Sequence, residues 1–130
     1  MAAPSCGDPA LNWIADVWKR LVSATRFSLA GLRAAYRHEQ AFRLELLVLV
    51  LVVPLGLWLG EPGAQRALLI GSWCLVLIVE LLNSAMEVLV DRLWPERSEL
   101  AGRAKDMGSA AVFCAIVLSI AVWLLVLVVP

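Results

Sequence analysis

Three stretches of this chain carry no charged side chain at all: residues 46–60, 67–79 and 107–130, of 15, 13 and 24 residues. The 11 basic and 11 acidic residues all fall elsewhere. With 130 residues the chain is one domain at most, and 62% of it is apolar, against about 45–50% for an ordinary soluble domain. A domain this small has too little interior to hide that much apolar surface from water, so its solvent is expected to be lipid. A disordered chain, a secreted disulfide scaffold and a nucleic-acid binder are excluded by the same pattern. Net charge is zero, so bulk electrostatics names no partner.

The expected fold is an all-α membrane protein: three transmembrane helices preceded by an amphipathic interfacial helix. Residues 1–12 contain two prolines and a glycine without periodicity and read as a loose N-terminal tail. Over 13–41 apolar and basic residues alternate at three- and four-residue spacing, the pattern of a helix lying in the membrane surface. Residues 44–130 form the expected three-helix transmembrane domain, with spans at about 44–60, 65–91 and 105–129. The first ends at the turn signal Gly60-Glu61-Pro62-Gly63, and Pro54 inside it removes one backbone donor and is expected to kink it. Between the second and third spans lies a charged connector, 91–106, containing Pro95.

Lys and Arg distribution sets the expected orientation. The segment before span one carries Lys19, Arg20, Arg26, Arg33, Arg37 and Arg43; the first loop has only Arg66. The second connector carries Arg92, Arg97, Arg103 and Lys105, and nothing basic follows. By the positive-inside rule the N-terminus and second connector are cytoplasmic and the C-terminus periplasmic.

Span two holds the informative anomaly. Glu80, Asn83, Ser84, Glu87 and Asp91 form one helical stripe in otherwise apolar sequence. Ionisable groups at membrane depth cost about 2.5–3.5 kcal/mol each on insertion scales. Asn and Ser alone would serve as a helix-gluing seam, so the two glutamates argue for a chemical purpose. Depth along the stripe suits a site reached by a charged ligand from the cytoplasm and by a lipid from the bilayer. Glu39 lies just before span one, with Glu45 a turn and a half further on. The run from Gly102 to Gly108 supplies Arg103, Lys105 and Asp106 at a helix start, where free amides favour anions such as phosphate. Carboxylates beside phosphate-binding cations imply Mg²⁺, a hard ion that takes oxygen ligands. Phosphate-loop, dinucleotide and soluble-kinase motifs are missing. Three thin helices cannot by themselves screen so many carboxylates from lipid, which favours oligomerisation.

These motifs carry a resemblance. Residues 79–92, containing Glu80-Leu81-Leu82-Asn83-Ser84-Ala85-Met86-Glu87, resemble the signature of the prokaryotic diacylglycerol kinases. Residues 99–112, containing Gly102-Arg103-Ala104-Lys105-Asp106-Met107-Gly108-Ser109, match the segment that follows it. Gly31-Leu32-Arg33-Ala34-Ala35, with Glu39 and Phe42-Arg43, resembles the Gram-negative branch. The resemblance implies a homotrimeric lipid kinase of the bacterial inner membrane, with active sites between subunits. Its partners would be ATP, diacylglycerol or a related lipid alcohol, membrane lipids and further copies of itself. Carried over by motif, Glu80 would be the catalytic base, and Glu39 and Glu87 the Mg²⁺ ligands. The nucleotide would meet Arg20, Phe27, Glu39, Glu87, Glu96, Arg97, Ser98, Lys105 and Asp106. The lipid would meet Glu80, Asn83, Ser109, Arg33 and Trp123. Phe27 stands where many Gram-negative members have tyrosine, and Arg97-Ser98 replaces a Tyr-His pair. Alternatives are an undecaprenol (polyprenol) kinase and a non-enzymatic channel or assembly protein.

Overall fold

A computed structural model of the chain describes residues 9–96 and 98–128, with side chains from 13 onward. They form four helices: α1 (Pro9–His38), α2 (Gln40–Leu59), α3 (Ala64–Leu93) and α4 (Glu99–Val128). The chain divides into two units, Met1–Arg37 and His38–Pro130.

The first unit contributes α1. Of the expected tail, residues 1–8 lie outside the described residues, whereas 9–12 are already helical, which corrects the expected boundary. Pro9 opens the helix at a position where its missing N–H costs nothing and its fixed φ is suited. At about 3.6 residues per turn, Ile14, Trp18, Leu21, Leu29, Leu32 and Tyr36 share one face, and all are exposed. Arg20 and Phe27, seven residues apart, share another. Thr25 and Ser28 turn their hydroxyls back onto the carbonyls of Leu21 and Ala24, at 2.9 and 3.0 Å.

In the second unit, α2, α3 and α4 are each long and apolar enough to cross a membrane, at 20, 30 and 30 residues with mean hydropathies of 2.2, 1.9 and 3.0. At 1.5 Å per residue a 20-residue helix spans roughly 30 Å, the thickness of a bilayer's hydrocarbon core. Backbone chemistry sets the ends. Glu39, in extended conformation (φ −103°, ψ 117°), precedes α2. The helix then continues through Pro54 to Leu59. Gly63 takes φ +95° in the turn to α3, a conformation that side chains rarely tolerate. The turn is held by the Glu61 N–H donating to Gln65 Oε1 at 2.9 Å and by Arg66 Nε donating to the Gly60 carbonyl at 3.0 Å. The Ser98 hydroxyl accepts the Ala101 N–H at 3.1 Å, a side-chain N-cap that starts α4 at Glu99. The helix therefore begins six residues before the expected span, and the connector between α3 and α4 is short.

Helix α3 is the middle element, packing against both α2 and α4. Leu69 and Val76 are fully buried along it, as is Ser119 on α4. Two tryptophans tie the helices together. Trp73 Nε1 donates to the Glu45 carbonyl at 2.9 Å, and Trp123 Nε1 donates to the Leu69 carbonyl at 3.0 Å. The hydroxyls of Ser72 and Ser119 meet at 3.1 Å. Large apolar side chains instead face outward, among them Leu82, Phe113 and Leu125, each more than 60% exposed.

Candidate functional site

The interior of α2–α4 is unusually polar for so apolar a chain. Glu45, Glu80, Asn83, Ser84 and Ser119 are all buried. Spacing explains three of them. Glu80, Asn83 and Ser84 occupy one side of α3 at i, i+3 and i+4, and the packing turns that side inward. Helix α4 meets it through Gly108, which is buried. A Cβ at Gly108 would collide with the Asn83 side-chain oxygen and the Met86 methyl, so glycine lets α4 close over the stripe.

Asn83 Nδ2 donates to Glu87 Oε1 at 3.3 Å, linking buried Asn83 to half-buried Glu87. The Glu80 carboxylate lies within electrostatic reach of Glu87, Glu39 and Glu45. Four carboxylates from α2, α3 and the residue preceding α2 therefore share one neighbourhood. Two buried atoms there, Glu45 Oε2 and Asn83 Oδ1, have no hydrogen-bond partner among the described residues, while the Ser84 hydroxyl faces the Glu80 carboxylate. Buried polar atoms are nearly always paired in folded proteins, so this group marks a place where a polar ligand would be welcome.

One turn beyond Glu87, Asp91 accepts both of its contacts from Lys105, whose Nζ lies 2.9 and 3.1 Å from the two carboxylate oxygens. This bond joins the end of α3 to the start of α4. Beside it a cavity of about 620 Å³ is lined by Asp91, Trp94, Glu96, Ser98, Glu99 and Lys105, among others. The stripe thus leads from a buried carboxylate, Glu80, to the cavity at the connector. The eleven residues from Glu80 to Asp91 correspond to about 16 Å of helix.

The expected site residues fall into three groups. Glu39, Glu80, Asn83 and Glu87 come together, and Glu96, Ser98 and Lys105 line the connector cavity. Asp106 and Ser109 are exposed, off the α4 stripe through Lys105, Gly108, Ala115 and Ser119 that faces α3. Trp123 is tied to Leu69, about 16 Å along α3 from Glu80. Within one chain these three residues are apart from the carboxylate group. Arg20, Phe27 and Arg33 belong to α1 and the first unit, while Arg97 lies outside the described residues. Neither Glu45 nor Asp91 was among the expected site residues, although spacing had placed Asp91 on the stripe. The usable signal for Glu45 was an ionisable residue at the start of an apolar span. For Asp91 it was the last position of the stripe.

Among the described residues no three His, Cys, Asp or Glu side chains form a cluster able to hold a metal by themselves. Mg²⁺ does not require one, since it commonly takes one or two carboxylates and completes its shell with water and phosphate oxygens. Glu39 and Glu87, both acting on Glu80 and both partly accessible, fit that mode.

Residues 26–127 match the family model described as prokaryotic diacylglycerol kinase. The chain is 49% identical over 108 residues to the diacylglycerol kinase of Escherichia coli (strain K12), covering 83% of this chain and 88% of that one. It is 48% identical to the diacylglycerol kinase of Haemophilus influenzae over 103 residues, 79% of this chain and 87% of the relative. With that of Pseudomonas aeruginosa it shares 48% identity over 109 residues, 84% and 89% of the two chains.

Proposed function

The chain belongs to the prokaryotic diacylglycerol kinase family, and we propose that it transfers the terminal phosphate of Mg-ATP to the free hydroxyl of diacylglycerol, giving phosphatidate and ADP. The observation that carries this reading is the buried Glu80 with the unpartnered Glu45 Oε2 and Asn83 Oδ1 in its neighbourhood, inside a helix apolar enough to span a membrane. A lipid hydroxyl arriving from the bilayer meets polar partners there and a carboxylate able to take its proton.

In this mechanism Glu80 accepts the proton as the hydroxyl oxygen attacks the γ-phosphorus. The new oxygen–phosphorus bond forms while the bond to the bridging oxygen of ADP breaks. Asn83 orients the reacting group, and its bond to Glu87 ties the base to the metal-binding end of the stripe. Glu39 and Glu87 would hold the Mg²⁺ of Mg-ATP, which when bound would supply neutralisation of charge on the phosphate oxygens. Lys105 presents its ammonium to the transferring phosphoryl group, where charge develops. Glu96 and Ser98 lie at the cavity in which the nucleotide would rest; the family resemblance adds Arg20, Phe27 and Arg97 as nucleotide contacts. Ser98 also caps α4, so its replacement would disturb the cavity through the helix start.

Helices α2–α4 cross the inner membrane, α1 lies along its cytoplasmic surface as an amphipathic helix, and the connector faces the cytoplasm. Three copies assemble so that Asp106 and Ser109, exposed in their own chain, reach the Glu80 region of a neighbour. The family resemblance assigns Arg33 and Trp123 to the lipid. The test uses purified protein in mixed micelles with labelled Mg-ATP, offering diacylglycerol, undecaprenol or no acceptor. Labelled phosphatidate is the expected product. Label in polyprenyl phosphate would change the acceptor, and no transfer to either lipid would refute the kinase reading.

A further inference from the structure

The stripe on α3 does not stop at the residues used above. Its last member, Asp91, makes an ion pair with Lys105 that joins α3 to α4. The pair joins positions 14 residues apart in sequence, on different helices, with both carboxylate oxygens of Asp91 engaged by one ammonium. It is too exposed to matter much for stability: the two side chains retain 65% and 38% of their accessible surface. A bond with little structural value at the rim of the connector cavity invites a different account.

Lysine presents three N–H donors on a flexible four-carbon stem. Asp91 engages Nζ through two contacts, which leaves donor capacity for an anion. The ammonium also lies within electrostatic reach of Glu87, one helical turn below Asp91. Asp91 therefore holds the ammonium over the carboxylate stripe, on the side of the cavity. Without that anchor the stem would sample solvent-facing rotamers, and each turnover would have to recover the productive one.

We infer that Asp91 is a positioning residue for phosphoryl transfer: it fixes the Lys105 ammonium above Glu87, so that a donor is already in place when the terminal phosphate of a nucleotide enters the connector cavity. The inference rests on the reading of Lys105 as a phosphate contact. Because the anchor acts through another residue, its signature is conditional. Removing the Asp91 carboxylate should matter only while Lys105 is present, and it should lower kcat more than it raises KM for Mg-ATP. An interaction realised mainly in the transition state behaves in that way.

The experiment compares wild type, Asp91→Asn, Asp91→Glu, Lys105→Met and Asp91→Asn/Lys105→Met, purified in detergent and assayed with Mg-ATP and diacylglycerol in mixed micelles. Asp91→Asn is expected to lower kcat about 10- to 100-fold, the scale for losing the placement of a catalytic group, with KM for Mg-ATP within about threefold. Asp91→Glu keeps the charge and the ion pair while moving the anchor by one methylene, and should lose less. The double variant should be no slower than Lys105→Met alone, because neighbouring groups that act as one unit are non-additive. An equal loss from Asp91→Asn with and without Lys105 would overturn the inference. So would a kcat within twofold of wild type, or a lower KM for Mg-ATP at unchanged kcat, which would make Asp91 a mask for the lysine. If Asp91→Asn failed to assemble, Asp91→Glu with and without Lys105 would carry the same comparison. Wild-type kinetics in Lys105→Met would instead refute the phosphate-contact reading itself, and the inference with it.

Discussion

Gly108→Ala is the smallest change that should disable the site without touching a charged group. The added methyl would overlap Asn83 Oδ1 and Met86 Cε and stand 3.4 Å from Asn83 Cγ. Met86 offers the far end of a flexible side chain and can swing aside. Asn83 cannot do so cheaply, since its amide nitrogen bonds Glu87 at 3.3 Å and the residue is buried. Strain must then be relieved by withdrawing α4, by rotating Asn83 off Glu87, or by both. Overpacking of this kind costs about 1–3 kcal/mol, and the lost hydrogen bond about 1 kcal/mol more. If the strain falls on Asn83, about 1.4–3 kcal/mol appears in the barrier and turnover drops roughly 10- to 100-fold. The assay is kcat in mixed micelles together with thermal denaturation in the same detergent. Gly71→Ala is the control, because a Cβ at Gly71 meets nothing within 4 Å, and it should stay within twofold of wild type. Wild-type turnover and stability in Gly108→Ala would refute the argument that close approach of α4 places Asn83.

Three further outcomes test the site. Glu80→Gln, which keeps size and hydrogen bonding but removes the basic oxygen, should cut turnover by about 10²–10⁴-fold while assembly, followed by size-exclusion chromatography, persists. Glu39→Gln and Glu87→Gln should raise the Mg²⁺ concentration needed for half-maximal activity, and unchanged titration curves in both would remove them as ligands. Mixed oligomers of Glu80→Gln and Asp106→Asn chains should recover part of the wild-type activity, because Asp106 is exposed on its own chain and would serve a neighbour's Glu80; no recovery in well-mixed oligomers would place both residues in one chain's site.

The spans were legible because charge-free sequence of membrane length admits few alternatives. Their ends were less so, since hydropathy marks where lipid contact begins while capping decides where the helix begins. Helix α2 starts at Gln40, before the first apolar run, with Glu39 breaking the backbone direction. Helix α4 starts at Glu99 because the Ser98 hydroxyl accepts a backbone N–H there. The stripe of Glu80, Asn83, Ser84, Glu87 and Asp91 could be read from spacing, because spacing determines which side of one helix a residue occupies. Register between helices could not. Nothing in the sequence aligns Lys105 with Asp91, seats Gly108 against Asn83, or brings the Trp123 indole to the Leu69 carbonyl. Glu45 was visible as a charge at the edge of a span, but only packing shows it turned inward toward Glu80.

That inward turn bears on why such a chain would work as an assembly. In α2–α4 the buried set holds Glu45, Glu80, Asn83, Ser84 and Ser119, while large apolar side chains of all three helices lie outside. Lipid accepts those apolar surfaces at no cost, so the hydrophobic effect gives these helices little reason to associate. Tryptophan N–H and serine hydroxyl bonds between helices supply direction, but none of them screens a carboxylate. Glu39 and Glu87 remain partly open and Asp106 is exposed in the single chain, and a carboxylate facing hydrocarbon is disfavoured. Contact with further copies would cover those groups while adding Asp106 and Ser109 to the Glu80 neighbourhood. The same burial that would favour such an assembly would also complete the proposed site, so catalytic competence would depend on oligomer formation through the acidic residues themselves.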